Sequence, residues 1–194
     1  MTKRTAAKLL MRERILEAAD RLFYGRGIRA VGVDTVAAQV GISKRTLYNH
    51  FPSKDTLIVA YLSRRSAPLK PSERPPVEQI LGAFDRLELT FAGDGFRGCP
   101  FVNAVAELGD PAHAAHRIAL TFKDERRIWF RDLLIRLGVA EPDALATQLQ
   151  LLVDGAIVLA LVRGDPQMAR AAQNAARVLL RDAGVQVPVS SAKG

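Results

Sequence analysis

The sequence is poor in the residues that bring chemistry or covalent bracing. Of its 194 residues one is cysteine, Cys99, and three are histidine. A lone cysteine excludes an intrachain disulfide and fits a reducing compartment. His113 and His116, three positions apart, have no second ligand pair to complete a metal site, so no metal and no cofactor is expected. A phosphate-binding glycine loop, an H-E-x-x-H pair and a G-x-S-x-G turn are all missing, and no catalysis is expected. Long apolar runs are missing too. The longest stretch, Leu151 to Val162, is interrupted by Asp154 and is too short for a bilayer span. Met1 to Leu10 has no sustained apolar core, so no signal peptide is expected and the expected location is the cytoplasm. Aromatic residues make up only 6% of the chain. Alanine, leucine, valine and arginine prevail, a blend that favours helix over strand.

What the chain does have is positive charge in one place. Residues 1–65 hold 13 of the 28 Lys and Arg but only 5 of the 20 Asp and Glu, which leaves 15 of each sign in residues 66–194. The whole excess of +8 therefore sits in the first third. Such asymmetry points to a polyanion meeting one end while the neutral remainder does other work. An incidentally basic, solvated surface is the plainer reading of the same numbers.

Apolar periodicity is helical throughout. Residues 1–8 are small, polar and basic, and read as a loose arm. Ile15, Ala18, Ala19, Leu22 and Phe23 then mark one helical face, which Gly25 and Gly27 end. Val36, Ala37 and Val40 form a short helix closed by Gly41. Ser43 restarts the chain as an N-cap, and Leu47 and Phe51 give the next helix its inner side. Pro52 closes that helix, and Ser53 caps a fourth through Leu57, Ile58, Tyr61 and Leu62. Prolines at 68, 71, 75 and 76 mark a boundary. Beyond it, helices are expected over about 80–92, 100–108, 112–137, 142–163 and 166–183.

The segment from Val33 to Phe51 reads as helix, glycine turn, helix. Ala37 is small where two helices must cross, and Gly41 allows the positive φ of the turn. With Val36, Val40, Ile42, Leu47 and Phe51 in the seam, the outside carries Ser43, Lys44, Arg45, Thr46, Tyr48, Asn49 and His50. All can form hydrogen bonds, none is acidic and two are cationic, which suits a helix entering a major groove.

Ser43-Lys44-Arg45-Thr46-Leu47-Tyr48-Asn49-His50-Phe51-Pro52-Ser53-Lys54-Asp55 resembles the recognition helix and following turn of the TetR (tetracycline-repressor-like) regulators. Ala18-Ala19-Asp20-Arg21-Leu22-Phe23 and Val36-Ala37-Ala38 with Gly41 add to the likeness, which is specific over about residues 10–62. Gly32 departs from it, standing where the family usually offers Ser or Thr as a cap; glycine is an acceptable substitute. The resemblance implies an all-α chain: a three-helix helix-turn-helix DNA-binding domain (9–52) behind a flexible basic arm (1–8), then a connecting helix (53–65). A larger helical ligand-binding and dimerisation domain (66–186) and a disordered tail (187–194) would follow.

The resemblance also implies that Tyr48, His50 and Lys54 contact phosphates, setting register without reading sequence. Lys44, Arg45, Thr46 and Asn49 are the candidates for base edges: Arg or Lys suits guanine, and Asn suits adenine. Lys3 and Arg4 are placed to reach a minor groove. The family dimerises through its last long helices, here with a stripe of Leu145, Leu149, Leu152, Gly155, Ala156, Leu159 and Ala160. The alternative is that the same stripe packs within one subunit. The family pattern puts a small-molecule pocket in the central helices, with Phe84, Leu87, Phe91, Cys99, Phe101, Phe122 and Trp129 as candidate lining and Asn103 and Glu107 to orient a ligand. Cys99, just before a helix start, reads either as a sensor thiol or as an inert core residue.

The implied function is a ligand-released repressor that binds an inverted-repeat operator in double-stranded DNA as a homodimer. Ligand binding would shift the population between two conformers, with helix 53–63 as the lever. A nonspecific architectural DNA-binding protein is the competing reading, separable by a steep salt dependence without operator preference.

Overall fold

The computed structural model describes residues 3–68 and 71–188, with the side chains of Lys3 and Arg4 left out. The regular elements among them are all α-helices: α1 (Lys3–Arg26), α2 (Val33–Val40), α3 (Lys44–His50), α4 (Lys54–Arg65), α5 (Pro76–Phe91), α6 (Pro100–Leu108), α7 (Ala114–Arg136), α8 (Pro142–Arg163) and α9 (Met168–Asp182). They form two compact units. One takes α1 to α4 together with residues 99–122, which hold α6 and the start of α7; the other takes α5, the rest of α7, α8 and α9. The division differs from the expected single domain over 66–186, because α6 returns to the N-terminal unit.

In the first unit, α1 starts six residues before the expected Leu9. Residues 5–8, expected as a loose arm, are helical. Ala6, Ala7 and Lys8 are strong helix formers, and nothing before Gly25 breaks the run. Ile15, Ala18, Ala19, Leu22 and Phe23 are all buried, and Phe23 meets Tyr61 of α4 edge to face at 5.6 Å. The ends of α4 and α1 are also tied by charge. Arg65 donates to both carboxylate oxygens of Asp20, at 2.6 and 2.9 Å, with its guanidinium 4.4 Å from the Tyr24 ring. Arg64 pairs with Glu13.

After α1 the backbone turns at Gly27, with φ +93°. The following Arg29 N–H donates to Glu107 Oε2 of α6 at 2.9 Å. A Cβ on Gly27 would stand 2.9 Å from that carboxylate. Glu107, expected to orient a ligand, is thus engaged in fastening α6 to the loop between α1 and α2. Phe101 and Phe122 stack on each other with centroids 3.9 Å apart.

The second unit packs Ile80, Phe84, Leu134, Leu149, Ala160, Ala176 and Leu180 at its centre. Gln79 is the buried polar side chain there, and its amide donates to the carbonyls of Ser72 and Arg74 at 3.2 and 2.6 Å. By length and composition α8 could cross a membrane. It instead gives Leu145, Ala146, Leu149, Ala156 and Ala160 to this core. That corrects the expected dimer stripe: Leu145, Leu149, Ala156 and Ala160 are spent inside the subunit, packed against α5 and α9. Leu152 is half-buried against the same core, and only Gly155 and Leu159 of the stripe are exposed. The apolar residues that α8 leaves exposed are Leu151, Val158, Leu159, Leu161 and Val162, of which Leu151, Val158 and Val162 form one row beside the expected stripe.

Candidate nucleic-acid interface

The helix-turn-helix is built by caps and one glycine. α2 ends at Gly41, whose φ of +76° is left-handed. The Gly41 and Ile42 N–H groups return to the carbonyls of Ala38 and Ala37 at 3.1 and 3.0 Å, closing the helix end in a Schellman turn. Two residues after Gly41, Ser43 Oγ accepts from the Thr46 N–H at 3.1 Å and caps α3. Ser53 and Thr56 form a reciprocal capping box at the start of α4. Gly32 caps α2 without a side-chain hydrogen bond, consistent with its missing hydroxyl.

The sides of α3 then follow from its seven residues. Leu47 is fully buried, as are Phe51 beyond its end and Val36 and Ala37 of α2. Lys44, Arg45, Tyr48 and Asn49 are exposed, and Thr46 and His50 are half-buried. Ser43 and Thr46 are occupied with each other, their hydroxyls 2.9 Å apart. Lys44 Nζ lies 3.0 Å from Asp34 Oδ2 on α2, a pair in which both side chains are more than half exposed. Hydrogen bonding and charge from Asp34 hold the Lys44 ammonium above its ordinary range. Lys54 is half-buried at the first position of α4. The side chains of Lys3 and Arg4, expected at a minor groove, lie outside the described part of the structure.

Three groups beyond the expected set enter this surface. Asp34 is one. The others are Lys8 and Arg12 of α1, both exposed. The Arg12 guanidinium stands 4.5 Å over the Phe51 ring. His50 is pushed below its ordinary value of 6.5 by burial first, then by the charges of Lys8 and Arg12. Its Nδ1 is buried with no hydrogen-bond partner. The signal for the α1 pair was present in the sequence, since residues 8 and 12 continue the register of Ile15 and Ala19. A short basic run before a helix can equally be an arm, so the sequence alone does not bring Lys8 beside α3.

The remaining candidates divide between the two units. Cys99, Phe101, Asn103, Glu107 and Phe122 belong to the first, and Phe84, Leu87, Phe91 and Trp129 to the second. Cys99, Phe101, Phe84 and Phe91 are buried. Trp129 borders an open groove of about 260 Å³, shared with Pro71, Ser72, Gln79, Asp132, Leu133 and Arg136. His113 Nδ1 accepts from the Ala115 N–H at 3.0 Å. Among the described residues no three His, Cys, Asp or Glu side chains gather closely enough to hold a metal ion.

Comparison with known proteins agrees with this geometry. The family model for bacterial regulatory proteins of the tetR family matches residues 15–61, from the first core residue of α1 to Tyr61 of α4. The HTH-type transcriptional regulator YjdC of Escherichia coli is 26% identical over 180 residues, covering 89% of this chain and 94% of that protein. A crystal structure of a candidate TetR transcriptional regulator from Streptomyces avermitilis superposes with a TM-score of 0.81 at 37% identity, covering 91% of this chain and 99% of that one. A TetR-family transcriptional regulator from Streptomyces coelicolor does so at 0.79 and 32%, covering 89% and 95%. The caps, the glycine turn, the outward row of α3 and these full-length likenesses together assign the chain: it belongs to the TetR family of helix-turn-helix transcriptional regulators.

Proposed function

We propose that the protein is a cytoplasmic repressor that binds an inverted-repeat operator as a homodimer, with α3 in the major groove, and leaves it when a small molecule binds. The observation that carries this reading is the division of α3: Leu47 and Phe51 are inside, while Lys44, Arg45, Tyr48 and Asn49 face out from the same short helix. Arg45 and Asn49 are the direct readers, suited to guanine and adenine. Lys44 reads or positions depending on whether it leaves Asp34. Ser43 and Thr46 hold the start of the helix and offer hydroxyls to the same groove. Tyr48, His50 and Lys54 fix the register on phosphates.

A second copy of the chain completes the reader. Leu151, Val158 and Val162 of α8 expose an apolar row with Gly155 on the same face, and Val178 is exposed on α9. A two-fold contact along this face would bury it, and a dimer reading an inverted repeat needs its two copies of α3 on successive grooves, about 34–36 Å apart. Release by a small molecule is proposed by analogy with the family, for which ligand response is typical.

Selecting genomic fragments on the purified full-length protein tests this reading. Enriched fragments should share one inverted repeat, and a mobility shift on it should show a single dimer-sized complex. Uniform recovery of fragments without a shared repeat overturns the sequence-specific reading. Occupancy that leaves transcription from the adjacent promoter unchanged or raised overturns repression.

A further inference from the structure

Helix α1 overhangs its own core. On a helix of 3.6 residues per turn, positions 8, 12, 15 and 19 share one face. Its Ile15 and Ala19 part is buried in the first unit. The same face continues upstream as Lys8 and Arg12, and there it meets the end of α3. Arg12 is set 4.5 Å over the Phe51 ring, an arrangement that orients a guanidinium without neutralising it. Both cations lie close enough to His50 to depress its proton affinity.

Among the described residues some cations of the unit are paired and others, such as Arg45 and Lys54, are not; what marks Lys8 and Arg12 is that both act on His50. Lys44, Arg64 and Arg65 each have a carboxylate, on Asp34, Glu13 and Asp20 respectively. Among the described residues no carboxylate pairs with Lys8 or Arg12. Gathering two cations and an imidazole without a counter-charge is unfavourable for the isolated chain. It becomes favourable when an anion arrives from outside.

We propose that Lys8, Arg12 and His50 form a seat for one DNA backbone phosphate, beside the outer row of α3. The inference rests on the DNA-binding reading above and extends it to α1. Lys8 and Arg12 supply charge, Phe51 holds the guanidinium in place, and His50 contributes an imidazole N–H. The seat fixes the entry angle of α3 and carries no base preference.

Salt titration of the full-length protein tests the seat, using fluorescence anisotropy on two 30-bp duplexes of random sequence and different base composition. Neutralising one phosphate contributes about 0.9 to the slope of log affinity against log salt. In the dimer each subunit carries one seat, so the double variant Lys8→Gln/Arg12→Gln should lose about 1.8 of that slope, equally on both duplexes. The charge-conserving exchange Lys8→Arg/Arg12→Lys should keep it. An unchanged slope in the double variant overturns the seat while leaving DNA binding intact. So does equal loss in the charge-conserving exchange, which would mean that shape rather than charge matters, and so does a loss confined to one duplex. If the wild-type chain binds neither duplex, the DNA-binding reading falls as well.

Discussion

Arg45 and His50 lie five residues apart, yet their surroundings give them different work. Arg45 is exposed on the outer row of α3, free to reach a base edge. Arg45→Ala is expected to weaken operator binding and relax preference at one base position by about 1–3 kcal/mol. Equal affinities of wild type and variant across a set of single-base operator changes would remove that role. His50 is half-buried, and its pKa is lowered by burial and by Lys8 and Arg12. The folded chain thus binds this proton less readily than the unfolded chain. Its contribution to stability is complete above the unfolded value of 6.5 and is lost as pH falls through 6.5 towards the folded value. Urea midpoints measured between pH 7.5 and 5.5 should fall more for wild type than for His50→Gln. Parallel curves would mean that the imidazole is not held neutral.

Elements are joined by a few specific devices. The loop from α1 to α2 depends on Gly27, whose φ of +93° suits glycine and whose missing Cβ makes room for the Glu107 carboxylate. Gly27→Ala should cost about 1–3 kcal/mol in chemical denaturation, from backbone strain and the displaced carboxylate together. A variant as stable as wild type would show that this loop relaxes freely. Much of this level is legible in the sequence. Ser43, Ser53, Gly41 and Pro52 state where helices begin and end, because capping and positive φ are local requirements. The start of α1 is not legible in the same way. A short basic run can be arm or helix, and only the continuous 24-residue helix decides it. Glu107 likewise looks like a ligand-orienting group until its partner, Arg29, is seen 78 positions away in sequence.

At the scale of the whole molecule, the proposed homodimer rests on the exposed row of α8. Leu151 and Val158 face outward, so charge placed there leaves the subunit core untouched. Leu151→Glu/Val158→Glu should sediment as a folded monomer at micromolar concentration and lose operator affinity with it. A variant that remains dimeric would place the interface elsewhere. Leu145, Leu149, Ala156 and Ala160 are expected to behave differently, as core residues whose truncation or enlargement lowers the melting temperature.

The sequence by itself determined the helical class, the turn at Gly41, the inward Leu47 and Phe51, and the chemistry of the row from Lys44 to His50. These follow from local propensity, capping and periodicity, which act over a few residues. Tertiary structure decided which face of α8 is spent on the subunit's own core, that α6 joins the N-terminal unit, and that Lys8 and Arg12 stand beside His50. A helix with apolar residues on most sides, such as α8, carries little periodic mark of its inner side, and a basic run states its charge but not its neighbour. Both are settled only when distant segments pack.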